Sequence, residues 1–229
     1  MSTLKMDAKY TKSAIYASTA LFLAAAVIFF TQIQIPYKTA IPVAILTISS
    51  LWLCPWQITS ALLFSAIGDC MGWKGEFIGQ MGFFAAAHIF YIIYFIKRYL
   101  EKVERDRKLS NKAKGYFAMV GFCTLALLAT AYFKIAPGAE AGITRTGVYI
   151  YATLISIMMV SALLQRSSLY ALGAVIFVFS DFILAWNKFV EPVPYRNYMV
   201  LIPYYAAQWL FFIRSTKYRV APEMRILRF

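Results

Sequence analysis

The chain has 229 residues, of which 61% are apolar and only 14% charged, with 23 Lys and Arg against 10 Asp and Glu for a net charge of +13. A soluble domain carries roughly a quarter charged residues, so this composition excludes an ordinary soluble fold and points to an integral membrane protein. The apolar residues come in runs of roughly 17–25, the length that crosses a hydrocarbon core as helix, and lack the alternation of a transmembrane barrel, so the expected fold class is all-α: a polytopic transmembrane helical bundle.

Eight spans are predicted, at roughly 14–31, 39–54, 57–73, 77–97, 115–135, 146–164, 169–187 and 197–214. The first follows a basic leader (Lys5, Lys9, Lys12) and resembles a signal peptide, but no small-residue cleavage site leads into a polar chain, so it reads as a retained helix. Span two is short and carries Pro42 near its start, where a missing N–H loses no partner. Only CPWQ (54–57) separates spans two and three, which predicts an antiparallel hairpin. Span eight contains Pro203, where a kink is expected. The stretch KRYLEKVERDRKLSNKAK (97–114) divides a single membrane domain, 1–229, into two four-span halves. These are 1–97 and 115–214, joined by a basic cytoplasmic loop, 98–114.

Seventeen of the 23 basic residues fall on the side of both termini. Lys38, Lys74, Lys134, Arg145, Lys188 and Arg196 fall on the other. This asymmetry places both termini in the cytoplasm, in a bacterial inner membrane or an ER-type membrane. Basic residues between hydrophobic spans, with no stacking motif, do not describe a nucleic-acid partner. Membrane lipids are the expected neighbours, and the oligomeric state stays open. Cys54, Cys70 and Cys123 include no CxxC and read as small apolar packing residues.

Two of the ten carboxylates stand inside hydrophobic spans: Asp69 in FSAIGDCMGW and Asp181 in FVFSDFILAW. Each is followed by a Trp (Trp73, Trp186) and then a Lys (Lys74, Lys188), which suggests a parallel internal repeat. A charge near mid-membrane costs at least a few kcal/mol, so intramembrane acids face a bundle interior and are functional by default; the plainer reading is a helix-packing hydrogen bond. Both acids lie in spans that run outward, about 6 and 9 Å below the outer end, and so share a layer. Gln80, Phe84 and His88 share a face of span four, as do Asn197, Tyr204 and Gln208 on span eight. Ser65, Asp69 and Trp73 form a third stripe, where Gly68 and Gly72 allow close approach of a helix or substrate. Four helices thus offer polar groups to the outer half of the bundle.

His88 is the single histidine, and no second ligand sits at zinc spacing. A GxSxG elbow, a P-loop, a GxGxxG and an intramembrane lysine for a retinal-type Schiff base are likewise missing. Acid–base chemistry by carboxyls remains, with no metal, serine nucleophile or cofactor expected.

The blocks FSAIGDCMGW, FIGQMGFFAAAHIFYIIYF, GAVIFVFSDFILAWNKF and NYMVLIPYYAAQWL, taken in order, resemble the YhhN family, which includes the lysoplasmalogenases. They cover spans three, four, seven and eight; Cys70 and Met71 stand where the pattern would have aliphatic residues. The resemblance implies about eight spans and hydrolysis of the vinyl-ether bond of a lysophospholipid drawn from the bilayer. The products are a fatty aldehyde and glycerophosphoethanolamine or glycerophosphocholine. The positions it carries over are Asp69, His88, Asp181, Asn197, Tyr204 and Gln208.

That chemistry suits the residues. A vinyl ether hydrolyses by protonation at its β-carbon, giving an oxocarbenium ion that water captures. Glycosidases meet a related ion with two carboxyls, one acidic and one ionised. Burial disfavours ionised carboxyls in general, and neighbouring carboxyls titrate apart. Asp69 and Asp181 are therefore the expected catalytic pair, with the deeper Asp181 favoured as the acid. His88 or Tyr204 orients one of them; Lys74, Lys188 and Arg196 at the outer rim are candidates to hold the lipid phosphate. The alternative is a proton- or cation-coupled transporter of a small molecule or lipid using the same aspartates. A third reading is a lipid-binding scaffold without catalysis.

Overall fold

The computed structural model describes residues 8–31, 33–103 and 111–220. Eight helical rods follow in chain order, beginning with α1 (Ala8–Phe29), α2 (Ile41–Leu53), α3 (Trp56–Trp73) and α4 (Phe77–Val103). The fifth, α5, spans Asn111–Thr130 and continues through a π-helical turn at Ala131–Ile135 into a last turn at Ala136–Gly138. It is followed by α6 (Ile143–Leu163), α7 (Ser168–Phe189) and α8 (Arg196–Val220). No strand occurs among the described residues. The chain is an integral, multi-pass, all-α membrane protein, and its rods match the predicted spans in number and order. Lys5, residues 104–110 of the basic stretch, Arg225 and Arg228 lie outside the described residues.

The helix faces show why a bilayer is the solvent. On α4, Tyr91, Tyr94 and Phe95 are buried, whereas Ile89, Ile93 and Ile96 on another face are 44%, 41% and 46% exposed. An outward apolar face is unfavourable in water and solvated in lipid. Five helical segments are long and apolar enough to cross a membrane: Tyr10–Phe29, Phe77–Glu101, Met119–Gly138, Ile143–Leu163 and Ser168–Phe189. Absent from these five are the shorter apolar α2 and the helices α3 and α8, which carry Gln57, Ser65 and Asp69 or Gln208 and Ser215 into the interior. Helix α4 runs six residues past its predicted end at 97, because hydropathy registers only the lipid-embedded part while Lys, Arg, Leu and Glu sustain a helix beyond it.

Helices α3 and α4 form a close hairpin. Gly75 makes the turn at φ +80°, a conformation that disfavours a side chain. A Cβ added at Gly72 would lie 2.6 Å from Gln80 Nε2, so the lack of a side chain is what admits Gln80 there. Only Cys54 and Pro55 separate α2 from α3, as the predicted hairpin requires. Helices α7 and α8 are tied by Ser180, whose Oγ donates to the Val200 carbonyl at 2.8 Å. The core between α4, α7 and α8 is aromatic: Tyr91 and Phe95 meet Phe211 at 4.8 and 5.6 Å between ring centroids, and Phe95 meets Tyr170 at 5.0 Å. Pro203 interrupts no helix, since α8 is continuous through it.

Candidate active site

Asp181 on α7 faces two clefts. One is lined by Phe77, Gln80, Met81 and Phe84 of α4 together with Val148, Tyr151 and Ala185. The other is bounded by Leu127, Ala131 and Ile135 of α5 with Ile155, Val178 and Phe182. Tyr151 and Asp181 belong to the walls of both, so they stand at the partition between them. The clefts enclose about 50 and 60 Å³. A single water needs about 10–15 Å³ on the same measure, so a few waters fit beside the acid.

The carboxylate is held by a short relay. The Tyr151 hydroxyl donates to Asp181 Oδ2. His88 Nε2 lies 3.0 Å from that hydroxyl and 3.6 Å from Asp181 Oδ2. With the tyrosine proton given to the aspartate, His88 serves as donor to Tyr151 through Nε2–H. His88 is fully buried, packs its ring on Phe177 at 5.0 Å, and has no hydrogen-bond partner at Nδ1. The relay occupies one oxygen of Asp181 and leaves the other for a proton or a water.

Asp69 is built on the same pattern from different helices. It is 4% exposed, and the Tyr204 hydroxyl donates to its Oδ2 at 2.8 Å. Phe84 and Phe177 both pack edge-on against Tyr204 at 5.6 Å. Phe84 also lines the first cleft, which Asp69 does not. The two acids are nevertheless within electrostatic reach of each other. There are thus two Asp–Tyr pairs, with Phe177 packed on Tyr204 of one and on His88 of the other, and only Asp181 lining the clefts.

Gln208, one turn beyond Tyr204, is fully buried and accepts a 2.5 Å hydrogen bond from Tyr91. Ser65 is buried one turn before Asp69, its hydroxyl without a partner. Lys188 is exposed and lies 5.0 Å from the ring centroid of Phe77, at the rim of the first cleft. Lys74 is exposed too, but over Tyr37 at 6.0 Å. Asn197 and Arg196 are exposed in the first turn of α8 and line neither cleft. Among the described residues, no three His, Cys, Asp or Glu side chains are grouped to hold a metal.

Tyr151 escaped the sequence reading because tyrosine is ordinary in a membrane helix. Depth was the signal that would have found it. It lies eight residues from the start of α6, and Asp181 eight from the end of α7, about 12 Å in each case.

The sequence pattern of the YhhN family matches residues 18–215. The chain belongs to the YhhN family. Relatives in it include lysoplasmalogenase TMEM86B of Sus scrofa, 29% identical over 67% of this chain and 61% of the pig protein. The TMEM86B lysoplasmalogenase of Mus musculus is 29% identical over 71% of this chain and 64% of its own length. Lysoplasmalogenase TMEM86A of Bos taurus is 29% identical over 73% of this chain and 68% of its own length. The chain thus spans about three fifths of the two TMEM86B proteins. No solved structure matches it.

Proposed function

We propose that this protein is a membrane hydrolase that cleaves the vinyl-ether bond of lysoplasmalogens. The names of its relatives support the substrate class, and the carrying observation is Asp181, which accepts the Tyr151 hydroxyl at Oδ2 and lines both clefts. Asp181 is the acid. Its proton goes to the β-carbon of the vinyl ether, the C=C pair forms the new C–H bond, and the α-carbon becomes an oxocarbenium ion. Tyr151 then holds the ionised carboxylate, with His88 behind it. A cleft water adds to the α-carbon and gives its proton back to Asp181. The hemiacetal collapses to the fatty aldehyde and the glycerophospho-alcohol, closing the balance with one water consumed.

Asp69 is the second carboxyl of the pair. Tyr204 orients it from behind the clefts. The aliphatic cleft against α5 suits the alkenyl chain. The first cleft, rimmed by Phe77 and Lys188, suits the glycerol and phosphate.

Hydrolysis in D₂O tests the protonation step. This reading expects one deuterium at carbon 2 of the released aldehyde, because that carbon is the one protonated. Aldehyde without deuterium there would refute it.

A further inference from the structure

Ser65 Oγ on α3, His88 Nδ1 on α4 and Gln208 Nε2 on α8 are buried polar atoms without a hydrogen-bond partner among the described residues. All three side chains are fully buried. A buried hydroxyl in a helix ordinarily bonds a carbonyl three or four residues back, as those of Thr47, Ser50 and Ser161 do here. The Ser65 hydroxyl does not.

The helix registers bring the three groups to one layer. Helices α3 and α4 run antiparallel and meet where Gly72 faces Gln80 and Gly68 faces Phe84; one further turn brings Ser65 level with Ala87 and His88. Helices α3 and α8 meet at the Tyr204–Asp69 hydrogen bond, and one turn inward from it lie Ser65 and Gln208. Helices α4 and α8 meet where Tyr91, three residues past His88, donates to Gln208 Oε1. Phe177 packs on both His88 and Tyr204, at 5.0 and 5.6 Å, so His88 sits within about a turn of Gln208.

The roles left open are complementary. His88 donates to Tyr151 through Nε2–H, which leaves Nδ1 as an acceptor. Gln208 Oε1 is taken by Tyr91, which leaves Nε2 as a donor. The Ser65 hydroxyl can act either way. One water, with two protons to give and two lone pairs, satisfies all three, and a buried water typically makes about three such bonds.

We infer that Ser65, His88 and Gln208 hold one internal water, which donates to Nδ1 and fixes His88 as its Nε2–H tautomer. Ser65 and Gln208 are thereby positioning residues for the Asp181 relay. Their consequence for catalysis rests on the hydrolase reading; the water site does not.

His88 is the single histidine, so ¹⁵N NMR of the histidine-labelled full chain in detergent reads this ring alone. Expected in wild type is a protonated Nε2 and an acceptor Nδ1 whose signal lies upfield of a free acceptor nitrogen, the mark of an accepted hydrogen bond. In Ser65→Ala that signal should move downfield, and the unfolding temperature should fall by about 2–4 °C as the water loses a partner. An idle hydroxyl predicts the opposite sign, because deleting a buried unpartnered group leaves stability equal or higher. A protonated or free Nδ1 in wild type, a signal unmoved in Ser65→Ala, or an unfolding temperature that does not fall would overturn the site. Should Ser65→Ala misfold, Gln208→Met removes the amide donor at similar size; a downfield Nδ1 is again expected, and an unmoved one would overturn the site. Neither readout needs turnover, so a folded wild type that releases no aldehyde would refute the hydrolase and leave the water site standing.

Discussion

Tyr151 on α6 gives its hydroxyl proton to the hydrogen bond with Asp181 on α7, and both residues wall the two clefts at once. Tyr151→Phe removes this bond while keeping the ring that packs on His88 at 5.3 Å. The expected result is a kcat lower by about 10–100-fold with KM little changed, because the bond is required for the ionised carboxylate formed during turnover. Steady-state aldehyde release measures it, and an unchanged kcat would remove Tyr151 from the mechanism.

Tyr204→Phe acts on the other acid. Asp69 is buried and loses its tyrosine donor, so about 1–3 kcal/mol of stability should go. Unfolding of the purified variant in detergent would show a transition several degrees lower than wild type. A transition at the wild-type temperature would mean that Asp69 finds another partner.

Much of this arrangement was legible because a polar group stands out in an apolar helix. Asp69, His88, Tyr204 and Gln208 were marked in the sequence, and all four are buried. Depth along the helices set the two acids toward the same end of the bundle, Asp69 four residues and Asp181 eight residues from the ends of their helices. What it left out was rotation about each helix axis. Depth alone could not tell that Asp69 turns behind Phe84 and Tyr204 while Asp181 faces the clefts. Nor could it tell that Asn197, though on the Tyr204 face of an ideal helix, stands in an exposed first turn. The end of α4 was misjudged for a related reason: hydropathy measures where lipid ends, not where backbone hydrogen bonding does.

Lys188 should matter for binding more than for chemistry. Lys188→Ala removes a cation at the rim of the first cleft, so KM is expected to rise about 3–10-fold with kcat nearly constant. A fall in kcat at constant KM would place its role elsewhere.

Two glycines make a paired stability test. At Gly138 a Cβ would lie 1.9 Å from the Phe189 carbonyl oxygen, a backbone atom that cannot yield without moving the end of α7. At Gly82 nothing lies within 4 Å. Gly138→Ala should cost about 1–3 kcal/mol, whereas Gly82→Ala should be neutral or slightly stabilising through helix propensity. Equal unfolding temperatures for the two variants would contradict the close packing of α5 against the end of α7.

The most direct test of the central claim is aldehyde release from a lysoplasmalogen by the purified, detergent-solubilised protein, with Asp181→Asn and Asp69→Asn assayed beside wild type. The account predicts release by wild type, a loss of about 10³-fold or more in Asp181→Asn, and a smaller loss in Asp69→Asn, with both variants folded. Wild-type release that persists in Asp181→Asn would contradict the assignment of the acid. A folded wild type that releases no aldehyde from ethanolamine or choline forms would contradict the hydrolase itself and turn attention to proton-coupled flux through the same aspartates.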